Sequence, residues 1–180
     1  MNEILTSTAK RFELFKPDTI MIDPHDISHA LAHLCNFNGH AREFYCVAQH
    51  SCIVAALVPE EHKLAALLYA AADAYVALID EHPSVWMFVH QHFEELIWQR
   101  ICERFDLPLE TPDCVYQASL VAMATEHRDL MPTDADICDY LDGIEPSAET
   151  IRPWPPNDAR NAYHQRLMDQ LDIEHRRKAA

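Results

Sequence analysis

The sequence predicts a single all-α domain of about seven helices over residues 1–180, and three observations carry that prediction. Apolar residues recur at i, i+3, i+4 and i+7 through most of the chain. Prolines stand at the starts and breaks of these periodic segments, where a helix tolerates them. The 180 residues include only two glycines, Gly39 and Gly143. That is too few for a fold built on β-hairpins, and it leaves no glycine-rich phosphate loop.

Each element follows in order. Residues 1–24 read as an irregular arm, with "FELFKPDTIMIDP" extended up to Pro24. Asp26 is the expected N-cap of the first helix, which places Ile27, Ala30, Leu31 and Leu34 on one face. Asn38-Gly39 ends it, and a second helix runs from about Tyr45 to Leu57, stopped by Pro59. Pro59-Glu60-Glu61 puts a proline and two acids at a helix start, and the third helix is expected to continue to about Leu78. Pro83 opens a fourth, "SVWMFVHQHFEELIWQRICERF", with a broad apolar stripe. Pro108 and Pro112 interrupt the chain before a fifth helix, "CVYQASLVAMATEHRDLM". A short helix, "DADICDYLDGI", has Gly143 as its candidate C-cap. The proline-rich "RPWPPND" leads to a last amphipathic helix from Ala159 to about Leu171, and residues 173–180 are expected to fray.

Fourteen basic and 29 acidic residues give a formal net charge of −15, which excludes a basic groove for nucleic acid. An acidic surface serves solubility, or docks a partner with a basic face. No apolar run approaches the length of a membrane helix, and the first residues lack an apolar signal core. The six cysteines have no CxxC spacing and read as reduced thiols of a cytoplasmic protein, most of them small core residues. Trp86, Phe88 and Trp98 on the fourth helix are candidates for a homodimer face.

Twelve histidines invite a metal hypothesis, yet most are lone. His29 and His33, spaced i, i+4, share a helix face but have no third ligand nearby in sequence. More specific text lies in "FNGH", "FYCVAQHS", "LAALLYAAADAY" and "MATEHRDLM". From about Asp26 to Met131 this text resembles the HD-domain phosphohydrolases, in particular the bacterial and phage group related to 5′-deoxynucleotidases.

The resemblance implies an all-α HD-type bundle with a divalent transition metal held by a histidine, a His-Asp pair and a distant aspartate. Such donors suit that metal, which would orient phosphate and activate a water. Carried over by position, the first histidine is His50, the His-Asp pair falls on Tyr69-Ala70, and the last aspartate falls on Ser119. A family glutamate falls on Asp73, and the arginine expected to contact phosphate falls on Asn36. A neutral phenol is a poor ligand, alanine offers none and serine is weak. The resemblance therefore implies a degenerate site at His50, Tyr69, Ala70, Asp73 and Ser119, with no catalytic residue, no metal and no cofactor.

Three functions remain open. The first is a pseudoenzyme that binds a protein partner, in the manner of a phage- or prophage-encoded inhibitor or accessory subunit. The second is a non-catalytic nucleotide-binding module using Asn36, Phe37, Tyr69 and Tyr75. The third is a metal-dependent nucleotidase rebuilt around His50, His40, Asp73 and Asp80. "TEHRDL" reads separately, as an ion-pair network of Glu126 and Asp129 with Arg128 at a helix end.

Overall fold

The computed structural model describes residues 3–76, 83–132 and 139–179, with backbone alone at 83–90 and 139. It is mostly helical. The helices are α1 (Pro24–His33), α2 (Val47–Leu57), α3 (Lys63–Leu68), α4 (Asp73–Val76), α5 (Pro83–Phe105), α6 (Asp113–Leu130) and α7 (Pro156–Ala179). A two-stranded antiparallel sheet pairs β1 (Glu3–Leu5) with β2 (Arg11–Glu13), in the register Ile4 opposite Phe12.

The hairpin corrects the reading of residues 1–24 as irregular. Its connection needs one left-handed residue, and Ala9 takes that role at φ 60° in place of a glycine. Scarcity of glycine thus did not exclude the turn. Its tip is held from outside, because the buried Asp26 carboxylate accepts from the Ser7 hydroxyl (2.7 Å) and from the Thr8 amide (2.8 Å) and hydroxyl (2.7 Å). Asp26 is therefore no N-cap. That position belongs to Asp23, whose side chain accepts from the His25 amide at 2.8 Å, with Pro24 as the first helical residue.

The expected third helix is divided. A 3-10 turn at Glu60–His62 leads into α3, and the backbone then tightens through residues 69–72 before α4 begins. Here Ala71 bonds back to Leu68 (2.9 Å) and Tyr75 to Ala72 (2.9 Å), each three residues behind. The turn lets Tyr75 stack on Phe12 with ring centroids 4.2 Å apart and accept from the Asp23 amide at 3.2 Å. Residues 77–82, including Leu78 and Asp80, lie outside the described residues, as do 133–138 of the expected short helix. What is described there is a 3-10 turn at Asp139–Leu141, followed by Gly143 at φ 77°.

The core is a continuous apolar cluster drawn from the hairpin and from α1 through α7. α7 lies against α1, α2 and α3, burying Ala159, Tyr163 and Leu167 completely. The Tyr163 hydroxyl donates to the Leu67 carbonyl at 2.7 Å. The helix extends to Ala179, with Arg177 paired to Glu174 (2.6 Å) and Lys178 to Asp106 (2.6 Å) on its exposed last turns. On α5, Trp98 is half-buried and donates its indole N–H to the Leu109 carbonyl at 2.9 Å. The side chains of Trp86 and Phe88 lie outside the described residues.

Candidate functional site

Asn36, His50 and Ser119 meet where α2, α6 and the connection between α1 and α2 come together. That connection is a tight loop. Phe37 (φ 52°), Asn38 (φ 50°) and Gly39 (φ 78°) are left-handed in succession, which only Gly39 adopts without steric cost. Backbone bonds close it, from Asn36 to Tyr45 (2.9 Å) and from Arg42 to Leu130 at the end of α6 (2.9 Å). The loop carries Asn36 and Tyr45 to the buried face of α6.

Glu126 is the centre of the cluster and is fully buried. Its Oε1 accepts from the Tyr45 hydroxyl at 2.7 Å and from His50 Nδ1 at 2.6 Å, and its Oε2 accepts from the Asn36 amide at 3.3 Å. A carboxylate beside two donors fixes the tautomer of His50, with Nδ1 carrying the proton and Nε2 facing the Ser119 hydroxyl at 3.5 Å. Burial, and secondly the Glu126 charge, hold the Tyr45 phenol far above its ordinary value, so that it remains a donor.

Hydroxyl, imidazole and carboxylate stand here in the order used by nucleophilic triads. Acyl transfer also needs access for the acyl group and free donors for the oxyanion. Ser119 is 5% exposed inside α6, whose own hydrogen bonds occupy the neighbouring amides. The cluster is a lock that fixes loop, α2 and α6 together.

Of the sequence-selected residues, the structure brings His50, Ser119 and Asn36 into this cluster. Tyr69 and Ala70 follow α3 in the tightened turn. Tyr69 lines a cavity of about 280 Å³ with Gln91, Glu94 and Trp98. Burial, then Tyr116 and Glu94, raise its phenol above the ordinary value. Asp73 opens α4 and is itself engaged in an interaction. Tyr75 is fully buried on Phe12, so it offers no face to a nucleobase and the expected grouping of Asn36, Phe37, Tyr69 and Tyr75 does not form. Phe37 stays half-buried on the loop, and His40 is exposed beyond it. His29 and His33 stack at 4.3 Å, and His33 Nδ1 bonds to the His29 carbonyl at 2.7 Å.

The network read from "TEHRDL" holds for Asp129, which pairs with Arg128, and is corrected for Glu126, which does not. Arg128 grips Asp129 (2.7 and 2.8 Å) and the carbonyls of Ser147 (2.6 Å) and Glu149 (2.8 Å). The signal for the true partner was available, since Ser119 and Glu126 are two turns apart on one helix face.

These residues do not fit the divalent metal that the resemblance implies. Ala70 has no donor, the Tyr69 phenol is held above its ordinary value, and Ser119 offers only a hydroxyl, so His50 is left as a lone imidazole. Among the described residues, no three His, Cys, Asp or Glu side chains group so as to hold a metal ion.

No family model matches the chain. It is similar to the uncharacterized protein YfdR of Escherichia coli K12, with 33% identity over 177 residues, covering 96% of this chain and 98% of that protein. The chain belongs to the YfdR family. The similarity to YfdR covers far more of the chain than the segment 26–131. Among the described residues, no helix is long and apolar enough to cross a membrane.

Proposed function

We propose that this YfdR-family protein is an HD-type domain whose metal site has become a hydrogen-bonded core, and that it acts by binding a protein partner. The single observation that carries the reading is the set of side chains at the four expected ligand positions, where one imidazole stands without a second strong donor. The one histidine retained at a metal-ligand position has its Nδ1 bonded to a fully buried carboxylate, while the other ligand positions are Tyr69, Ala70 and Ser119. Phosphomonoester hydrolysis is among the slowest uncatalysed reactions. In such a site the barrier is lowered by metal polarisation and by a cation on the phosphate. The position expected to supply that cation is Asn36, whose amide is bonded to Glu126. A net charge of −15 suits a partner with a basic face, such as a host protein engaged by a phage or prophage inhibitor.

The test has two arms. Deoxynucleoside monophosphates are offered to wild type and to His50→Ala with Mn²⁺, Co²⁺ or Mg²⁺. Equal, negligible turnover is the expected result, and turnover by wild type that His50→Ala abolishes sinks the reading. Affinity capture from the native host supplies a candidate partner, and the purified pair must then form a complex that weakens with salt. A captured protein whose binding ignores ionic strength removes the basic-face argument.

A further inference from the structure

A cleft of about 390 Å³ lies between α2, α6, α7 and the segment 147–155, and nothing in the cluster around His50 requires it. Its size is that of small-molecule sites. We propose that it binds a small aromatic anion, a planar ring bearing a carboxylate or phosphate. This inference does not depend on whether the His50 site is catalytic.

The outer wall is an irregular segment held rigid by its neighbours. Gln49, almost fully buried on α2, donates to the Arg152 carbonyl (2.8 Å) and accepts from the Trp154 amide (2.8 Å), as a neighbouring strand would. Asp129 accepts from the Ile151 amide (2.8 Å), and Thr125 accepts from the Ser147 amide (2.8 Å). Prolines at 153, 155 and 156 stiffen the same stretch. The wall's backbone bonds are thus satisfied before any ligand arrives, which lowers the cost of ordering on binding.

The side chains left to the cleft are of two kinds. Ile53, Leu57 and the Trp154 indole give an apolar floor, with Leu57 39% exposed. Arg166 lies over the Trp154 ring at 5.6 Å and gives one nitrogen to the Ala162 carbonyl (3.0 Å), and Arg152 is the second cation. Among the described residues neither arginine is in an ion pair, although acids outnumber bases 29 to 14 in this chain. Glu149 is the sole carboxylate among the lining residues, so the cleft carries a net positive charge inside an acidic molecule. A guanidinium beside an indole, with donors remaining after its bond to Ala162, matches a planar carboxylate or a phosphate. The aromatic part of the ligand covers the floor.

Benzoate, 2-naphthoate and phenyl phosphate are titrated into ¹⁵N-labelled protein, with benzyl alcohol and benzylammonium as neutral and cationic controls. Saturable shifts are expected for the anions at the Trp154 indole N–H and at the amides of Ile53 and Ser147. The carboxylate and phosphate arms decide which head group the arginines prefer. Arg166→Gln and Arg152→Gln, each with a folded spectrum, are expected to weaken binding by about tenfold. The proposal is overturned by absence of saturation below about 10 mM for all three anions, by equal shifts from benzyl alcohol, or by shifts indifferent to Arg166→Gln.

Discussion

Glu126 shows how much of a buried site can rest on one side chain. Its carboxylate accepts from Tyr45, His50 and Asn36, so its removal leaves buried donors without an acceptor. We predict that Glu126→Ala lowers unfolding stability by roughly 3–5 kcal/mol, the usual cost of breaking a buried pair. Urea denaturation at neutral pH measures it. Ser119→Ala breaks only the long 3.5 Å contact and is expected to cost less than about 1 kcal/mol. Equal losses in the two variants would remove Glu126 from the centre of the cluster. At this scale the sequence revealed half of the site. His50 and Ser119 of the expected degenerate site, and Asn36 of the expected nucleotide group, stand around Glu126, whereas Tyr69 and Ala70 lie in the turn after α3 and Asp73 opens α4. Glu126 was misassigned because a charged neighbour two residues away is the obvious partner on paper. On α6 the face shared with Ser119 turns 126 inward, while 128 and 129 hold the wall segment. Tyr75 was misjudged for a different reason, since its partner Phe12 lies in an arm whose fold the sequence did not disclose.

Helices with a clear 3.6-residue period were legible as elements, and α1, α2, α5 and α6 begin and end near their expected bounds. The hairpin was not legible, because its tip depends on Asp26 from a later helix. Nor was the break at residues 69–72, where three alanines favour continued helix and tertiary contacts of Tyr75 override them. Two predictions belong here. Gln49→Ala is expected to release the wall segment, costing about 1–3 kcal/mol. It should also raise hydrogen exchange at the Trp154 amide well above that at the Tyr163 amide; parallel rises would mean global rather than local loosening. The second concerns the seam of α1 and α7, where His25 and His164 stack at 4.2 Å and Ser28 Oγ lies 3.0 Å from His164 Nδ1. Burial, and then the His25 charge, lower the His164 value below its ordinary 6.5. A base with a lowered folded value binds protons more readily when unfolded, so its contribution is present above about 6.5 and is lost as pH falls. Stability is expected to decline mildly below that point, and His164→Gln should flatten the decline.

The molecule as a whole holds several buried thiols and phenols in their neutral forms. Burial pushes the Cys52 thiol up to about 12 against the opposing pull of Arg166, and Cys102 up to about 11. Burial also raises the phenols of Tyr45, Tyr75 and Tyr163. Groups with raised folded values stabilise fully below the unfolded thiol value of about 9 and lose that contribution as pH climbs through the folded values. Denaturation midpoints should therefore fall steadily above pH 9, and Cys52→Ala should lessen the slope; a midpoint constant to pH 11 would contradict the buried-thiol account. Among all these features the placement of α7 reaches furthest. It ties Trp154 to Gln49 just before the helix starts, and then Tyr163 to Leu67, His164 to Ser28 and Gln170 to Glu60, spanning 96 to 136 residues of chain. A protein of helices usually assembles quickly from local contacts, whereas this one postpones its decisive contacts until residue 150 and beyond exist. During synthesis α1 meets the hairpin, α2 and α4 early, but the part of it that α7 covers waits while more than 100 residues follow. A chain stopped short of residue 150 is therefore expected to expose that part of α1 to solvent and to associate more readily than the full chain.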